Sequence, residues 1–226
     1  MGLDFYAIST WIIPLVLAIT LHEAAHGYVA RMFGDDTASQ LGRVTLNPIP
    51  HIHPVGTVIM PGLLLLSGLP ALGFARPVPV NFGRLNHPKR DMIWVAAAGP
   101  GANIAMAIIA ALSLNILTFL PDAAWKWTSI SISMAIKINL ILAIFNMLPI
   151  PPLDGGRVVT GLLPPELSRR YARLGRYGIV IVMGAIFIPY LISSWGGPDF
   201  NILVWIVWPI QQFLYDLIVQ VFWLIR

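Results

Sequence analysis

The stretch LHEAAHG, residues 21–27, lies inside an apolar run that extends from residue 5 to residue 33. It contains a His-Glu-x-x-His pattern, made here by His22, Glu23 and His26. In a helix the two histidines lie on one face, about one turn apart. Two neutral imidazoles at this spacing can hold one Zn²⁺ ion, and Glu23 beside them can act as a base toward water. The pattern therefore predicts a catalytic zinc site.

The alternative interpretation is a pair of surface histidines on a helix, with a solvated glutamate between them. The run around the pattern is apolar on every side, so this helix has no polar face to present to water. Imidazoles and a carboxylate are costly to bury in a membrane span, and such groups usually mark a functional site. The context therefore favours the metal site.

The composition of the chain is that of an integral membrane protein in contact with a lipid bilayer. Of its 226 residues, 57% are hydrophobic and only 11% are charged, whereas soluble domains carry about a quarter charged residues. The chain has no cysteine, which excludes disulfides and thiolate zinc sites. Any zinc must therefore be bound by histidine and carboxylate. No nucleic-acid-binding motif is present.

Apolar runs separated by loops predict the membrane topology. Candidate spans cover residues 5–30, 92–120, 130–150, 177–192 and 200–225. We expect an all-α polytopic membrane protein with about five to six transmembrane helices. A single domain is expected over residues 1–226, with a core at 5–157 and C-terminal helices at 177–226.

The connection between the first two long spans is predicted to be irregular. Residues 58–74 are apolar, but they number only 17 and include several Gly and Pro residues. This segment is either a short crossing or a re-entrant or β-hairpin element that enters and leaves on one face. Before it, the β-branched residues Val44 and Thr45, next to Arg43, favour a short strand over residues 43–46.

A catalytic zinc ion needs a third protein ligand, and Asp154 is the best candidate. No histidine lies in the spans after residue 92, so a carboxylate is expected. Asp154 follows a predicted helix end, between prolines and a Gly-Gly pair. The alternative is an ordinary turn aspartate at a helix terminus. The His-Glu-x-x-His pattern makes the ligand interpretation the stronger one.

Shared metal binding constrains the topology. The two histidines lie toward the C-terminal end of the first span, and Asp154 follows the predicted span 130–150. These positions reach the same face of the membrane only if residues 58–74 are re-entrant. Twelve of the fourteen Lys and Arg side chains then lie on one side, as the positive-inside rule requires. We expect an outside N-terminus and an active site near the cytoplasmic face.

Several motifs together resemble the site-2 protease family of intramembrane zinc metalloproteases, peptidase family M50. They are the His-Glu-x-x-His pattern, GPxxN at residues 99–103, NxxP at 146–149 and LDGG at 153–156. The stretches NPIPHIHPVGT (47–57) and ARPVPVN (75–81) are similar to the compact prokaryotic branch, which lacks PDZ and CBS domains. That branch implies a prokaryotic cytoplasmic membrane.

The resemblance implies one zinc ion per chain, bound by His22, His26 and Asp154, with Glu23 as the general base. It also implies that Asn146 holds the substrate strand or positions the scissile carbonyl, although a helix–helix hydrogen bond is an equal alternative for this residue. Asn103 is expected to be structural, allowing close helix approach, with substrate contact as the other reading.

The implied activity is hydrolysis of peptide bonds in a transmembrane protein or peptide, as in regulated intramembrane proteolysis. A helical substrate must unwind first, and strand addition at Arg43, Val44 and Thr45 is a candidate docking mode. Two alternatives stay open: a membrane metal-binding or transport protein, and a proteolytically inactive scaffold. The oligomeric state is not determined by the sequence.

His51 and His53 lie in the loop after the first span. They could gate the site, shuttle protons or bind a second metal ion. The favoured alternative is that they are interface histidines hydrogen-bonded to loop backbone.

Overall fold

The computed structural model describes residues 5–67, 73–197 and 201–224, which are largely helical and form no β-strand. The α-helices are α1 (Phe5–Met32), α2 (Thr37–Gln40), α3 (Met60–Leu66), α4 (Pro88–Ser113), α5 (Asp122–Asn146), α6 (Asp154–Leu162), α7 (Pro165–Ala172), α8 (Gly178–Ser194) and α9 (Ile202–Leu224).

Five helical stretches of the described chain are long and apolar enough to cross a membrane. They are Phe5–Met32, Pro88–Phe119, Asp122–Asn146, Pro165–Ser194 and Val204–Val221. The expected polytopic α-helical class is therefore confirmed. The span predicted at residues 130–150 lies too far along the chain, because α5 begins at Asp122. An acidic residue is favourable in the first turn of a helix. Helix α5 ends at Asn146, shortly before prolines that cannot continue a helix.

Helices α1, α4 and α5 pack against one another and form the centre of the molecule. Small residues allow this close packing: Ala107 and Ala111 of α4 contact Ile136 and Leu140 of α5 in a buried cluster. Apolar side chains of α9 cover this cluster from outside, and α6 packs on α4. The arrangement brings the His-Glu-x-x-His part of α1 against α4.

The expected strand over residues 43–46 is wrong. The N–H of Arg43 donates to the carbonyl of Ala38 at 2.8 Å, which closes a turn after α2. Gly42 has a φ of +64°, a left-handed conformation that ends the helical turn. No neighbouring strand is available among the described residues, so an extended backbone here would leave its polar groups unpaired.

The first part of the expected element over residues 58–74 is helical, at residues 58–66, rather than a strand of a β-hairpin. A π-helical turn, Pro54–Ile59, leads directly into α3, and residues 68–72 lie outside the described residues. The chain then runs without helix or strand from residue 73 to residue 81. The β-hairpin form of the prediction is therefore not observed in the described part.

Asp35 ties this connection to the end of α1. Its buried carboxylate accepts hydrogen bonds from the N–H of Asn81 at 2.6 Å and the N–H of Thr37 at 3.1 Å. Burial by itself would raise the pKa of Asp35, but these bonds and the Thr37 hydroxyl hold that pKa below its usual range. The stretch before α4 is thereby fixed against α1.

Candidate metal centre

Three potential metal ligands from two distant parts of the chain meet in the molecule. The Nε2 atoms of His22 and His26 are 3.1 Å apart. The Oδ2 atom of Asp154 lies 3.2 Å from the first and 3.3 Å from the second. All three residues are buried, and they form the group of His, Asp or Glu side chains in the described chain that could hold a metal ion.

Asp154 reaches this position because the chain turns sharply between α5 and α6. A Cβ atom at Gly155 would collide with the carbonyl oxygen of Met147, and one at Gly156 would lie 2.6 Å from the backbone nitrogen of Pro151. Only glycine fits at these close approaches. The Gly-Gly pair therefore lets the first turn of α6 fold back on the loop and direct Asp154 toward α1.

Gly99 of α4 makes room for the two imidazoles. A Cβ atom at this position would lie 2.5 Å from Nε2 of His26 and 2.6 Å from Nε2 of His22. Any larger residue would therefore displace the ligand atoms themselves. The GPxxN motif thus contributes a gap in α4 at the height of the candidate site.

Hydrogen bonds to the far side of each ring select the tautomer that a metal needs. Nδ1 of His26 lies 2.7 Å from the carbonyl oxygen of Val95. Because a carbonyl only accepts, Nδ1 carries the proton and Nε2 keeps its lone pair. Nδ1 of His22 lies 2.5 Å from Oδ1 of Asn103, which has the same effect. Both lone pairs are therefore available on the side of Asp154.

This donor set fits zinc. Ligand atoms about 2.0–2.1 Å from a tetrahedral Zn²⁺ lie about 3.3 Å from one another, close to the three separations observed here. Two imidazoles and one carboxylate also leave the fourth position of a catalytic zinc site available.

Glu23 does not join the three ligand atoms and is hydrogen-bonded to the loop before α4. Its Oε2 accepts a hydrogen bond from the N–H of Val78 at 2.7 Å. On the same stretch, the guanidinium of Arg43 donates to the carbonyl of Arg76 at 2.7 Å. The carboxylate of Glu23 therefore holds this stretch to α1, and the guanidinium of Arg43 holds it to the loop after α2.

A groove of about 450 Å³ lies between α1, α4 and the loop after α2. Its lining is almost entirely apolar: Leu21, Ala24, Ala25, Tyr28, Val44, Thr45, Leu46, Ala102, Ala105 and Met106. Val44 and Thr45, two of the predicted substrate-binding residues, thus line a cavity beside the His-Glu-x-x-His motif. Arg43 is turned away from this lining set.

The remaining predicted residues do not join the ligand group. Nδ2 of Asn146 donates to the carbonyl of Leu142 within its own helix at 3.0 Å. Nε2 of the buried His51 lies 3.2 Å from the carbonyl of Thr45. Nδ1 of His53 accepts from the N–H of Gly56 at 3.0 Å. Both loop histidines are thus bonded to loop backbone, and neither belongs to the candidate metal group.

Two contacts of the site were absent from the sequence analysis. They are the carbonyl of Val95, which orients His26, and the N–H of Val78, which binds Glu23. Both act through backbone atoms, so the residue type carries no signal that could have revealed them.

Comparison with known proteins agrees with this geometry. YwhC of Bacillus subtilis, which bears the name of a candidate zinc metalloprotease, is 34% identical over 219 residues that cover 93% of this chain and 90% of YwhC. The profile of peptidase family M50 matches residues 115–189. The chain belongs to peptidase family M50. As a member of this family, the site-2 proteases, the M50 protein is a zinc metalloendopeptidase with membrane-spanning helices.

Other relatives carry the same kind of name. Rip2 of Mycobacterium tuberculosis is 28% identical to the M50 protein over 206 residues, covering 91% of this chain and 74% of Rip2. MJ0611 of Methanocaldococcus jannaschii is 43% identical over a shorter region of 65 residues, covering 29% and 31% of the two chains. No solved structure matches the chain.

The gap at Gly99 yields a direct prediction. We expect Gly99→Ala to weaken zinc binding roughly 5- to 150-fold, because overpacking costs about 1–3 kcal/mol and the added methyl group meets both Nε2 atoms. Gly101→Ala in the same helix is the matched control, since a Cβ atom there meets nothing within 4 Å. Chelator competition on purified protein measures both affinities. Equal zinc affinity in the two variants would contradict the steric argument.

Proposed function

We propose that this zinc metalloprotease hydrolyses peptide bonds of membrane-spanning proteins or peptides, within or near the bilayer, in regulated intramembrane proteolysis. The observation that best supports this proposal is the position of the buried group of His22, His26 and Asp154. Its two histidines lie in α1, and α4 passes directly beside them; both helices are apolar enough to cross a membrane. A substrate that reaches this group has to approach it through an apolar environment.

We infer that His22, His26 and Asp154 hold one zinc ion per chain. When bound, zinc supplies a Lewis acid that polarises the scissile carbonyl and acidifies water. Glu23 takes the proton of the attacking water on its carboxylate and returns it to the leaving amine. The bond from Val78 to Oε2 restrains this carboxylate, which leaves its other oxygen for proton transfer.

Glu23→Gln separates catalysis from metal binding. We expect cleavage of a model single-span substrate to fall about 10²- to 10⁴-fold, since the amide cannot take a proton. Zinc content should stay near one ion per chain, because Glu23 is not among the ligand group. Metal analysis and a gel-based cleavage assay on both proteins test this. Zinc in both proteins, with no cleavage by wild type of several substrates, would favour the transport or scaffold alternatives.

We further infer that an unwound segment of the substrate lies in the groove between α1 and α4. Ala24 and Ala25, which line it, stand between Glu23 and His26 in the motif, so the groove adjoins the proposed catalytic residues. Its other wall includes Val44 and Thr45. Its apolar lining suits the side chains of a membrane span. Arg43, which holds the carbonyl of Arg76, supports that wall rather than lining it.

Asn146 and Asn103 enter this proposal in different ways. The Oδ1 atom of Asn146, at the end of α5, is an acceptor for the substrate backbone, because only its Nδ2 is engaged within the helix. Asn103 contacts His22 directly, so its proposed role is to orient a ligand rather than to bind substrate. His51 and His53 are proposed to stabilise the loop backbone, in line with their hydrogen bonds.

Filling the groove should impair substrate binding without disturbing the metal. We expect Ala105→Phe to reduce kcat/KM by about tenfold or more, because displaced reacting groups can lose up to about a hundredfold in rate. Ile109→Phe, about one turn further along α4 at a position 64% exposed, is the control. Zinc content should equal that of wild type in both. Unchanged cleavage by Ala105→Phe, with zinc intact, would exclude the groove as the substrate site.

We also propose an orientation, with the N-terminus outside, the active site near the cytoplasmic face, and a re-entrant element at residues 58–74. The C-terminal half of α1 meets the first residue of α6, which follows α5 after a short loop, and three successive crossings by α1, α4 and α5 would bring these positions to one face. Twelve of fourteen basic residues then face the cytoplasm. Residues 5–157 contain every proposed ligand and form the proposed catalytic core of a single domain.

Single cysteines can test this orientation, because the chain has none of its own. We expect Gln40→Cys and Ala172→Cys to react with an impermeant maleimide only in inside-out vesicles, and Ala123→Cys only in right-side-out vesicles. All three positions are exposed. If residues 58–74 crossed the membrane completely, Gln40→Cys would instead react from the same side as Ala123→Cys.

A further inference from the structure

A chain of three polar side chains crosses the apolar core from α1 to α5. Nδ1 of His22 lies 2.5 Å from Oδ1 of Asn103, and Nδ2 of Asn103 donates to Oδ1 of Asn139 at 2.8 Å. Nδ2 of Asn139 donates in turn to the backbone carbonyl of Ala135 at 2.9 Å. The three polar residues are 6%, 0% and 3% exposed, so solvent cannot easily replace these bonds.

We propose that Asn139 is a positioning residue for the zinc ligand His22 and that it acts through Asn103. The inference rests on the zinc site proposed above, but it concerns the tautomer of the His22 ring rather than the hydrolysis of a substrate. Asn139 has no direct contact with the ligand group, and its influence passes through one amide.

The direction of each hydrogen bond in this series is determined at its Asn139 end. The carbonyl of Ala135 can only accept, so the NH₂ group of Asn139 faces it and Oδ1 of Asn139 faces Asn103. That oxygen requires the NH₂ group of Asn103, as does the carbonyl of Ala18 at 3.3 Å. Oδ1 of Asn103 is thereby left facing His22.

An acceptor at this position determines which ring nitrogen of His22 is protonated. With Oδ1 of Asn103 facing it, Nδ1 carries the proton, and the lone pair of Nε2 points toward Asp154. If the Asn103 amide were reversed, its NH₂ group would face Nδ1 and favour a proton on Nε2. That tautomer cannot bind a metal ion through Nε2. The acceptor of Asn139 therefore favours the metal-binding form of a ring on a different helix.

Asn146 provides an internal comparison within α5. It lies seven residues after Asn139, about two helical turns, and its Nδ2 makes the same kind of bond to the carbonyl four residues earlier. Asn139 has the additional bond to Asn103. Asn146→Leu therefore removes an intrahelical amide bond alone, whereas Asn139→Leu removes such a bond together with the acceptor that orients Asn103.

The first measurement is the zinc affinity of the purified full chain by chelator competition. Loss of a partner that orients a ligand typically weakens metal binding about 10- to 100-fold. We expect a loss of about tenfold for Asn139→Leu, because Asn139 contacts Asn103 rather than His22 itself. Asn139→Asp, as the neutral acid that burial favours, keeps an acceptor toward Asn103 and a donor toward the Ala135 carbonyl, so its zinc affinity should stay within about threefold of wild type. Asn146→Leu should leave zinc affinity unchanged.

The second measurement is the hydrogen bond of the His22 Nδ1–H group in zinc-loaded protein, from ¹H and ¹⁵N NMR of histidine-labelled samples. The His22 signal is the one that disappears in His22→Gln. We expect a strongly hydrogen-bonded Nδ1–H group in wild type and in Asn139→Asp, and a weakened hydrogen bond in Asn139→Leu. Loss of helix packing alone would not produce this change. A packing defect would also not be corrected by Asn139→Asp.

The two readouts separate this inference from the metal site itself. Zinc affinity of Asn139→Leu equal to that of Asn146→Leu, or an unchanged hydrogen bond at Nδ1–H of His22, would overturn the role of Asn139. Failure of wild type to bind zinc would instead overturn the proposed metal site. If Asn139→Leu does not fold, Asn139→Ser carries the same expectation, because its hydroxyl can bond to the Ala135 carbonyl but is too short to reach Asn103.

Discussion

The burial of polar side chains among apolar helices constrains this protein more than any other requirement. A carboxylate and two imidazoles at the centre of a helix bundle are costly unless each finds partners. His26 is bonded to the carbonyl of Val95, His22 to Asn103, and both face Asp154. These bonds join α1 to α4 and to the start of α6, so the packing of the central helices and the integrity of the site depend on each other.

Glycine makes this arrangement sterically feasible. The imidazoles occupy the space that a side chain at Gly99 would fill, and the turn into α6 leaves no space for a side chain at Gly155. In the membrane, where apolar side chains gain little by leaving lipid, small residues at helix contacts are the main way for backbones to approach. Close approach here has a chemical consequence, because it brings ligand atoms to within about 3.3 Å of one another, as zinc requires.

The connection between α1 and α4 links the His-Glu-x-x-His motif to the surroundings of the groove. Glu23 binds the N–H of Val78, and Arg43 holds the carbonyl of Arg76, so residues 75–81 are restrained at two points. Asp35 restrains the same stretch further along through Asn81. Val44 and Thr45 complete the apolar groove from this connection. Residues 43–46 and 75–81 of this connection thus form part of the surroundings of the candidate site.

The sequence by itself determined the class of the protein and the two histidines of its candidate metal site. An apolar composition requires a bilayer, and the four-residue spacing of His22 and His26 places them on one helix face, because both properties depend only on neighbouring residues. Asp154 was also predicted as a ligand, because it follows a helix end between prolines and a Gly-Gly pair and the later spans contain no histidine. Only the tertiary structure decided that Asp154 lies 3.2–3.3 Å from the imidazoles. It also decided that Asn139, a lone amide in an apolar helix, connects to His22, and that residues 43–46 form no strand. These features depend on contacts between segments far apart in the chain, which local periodicity does not encode.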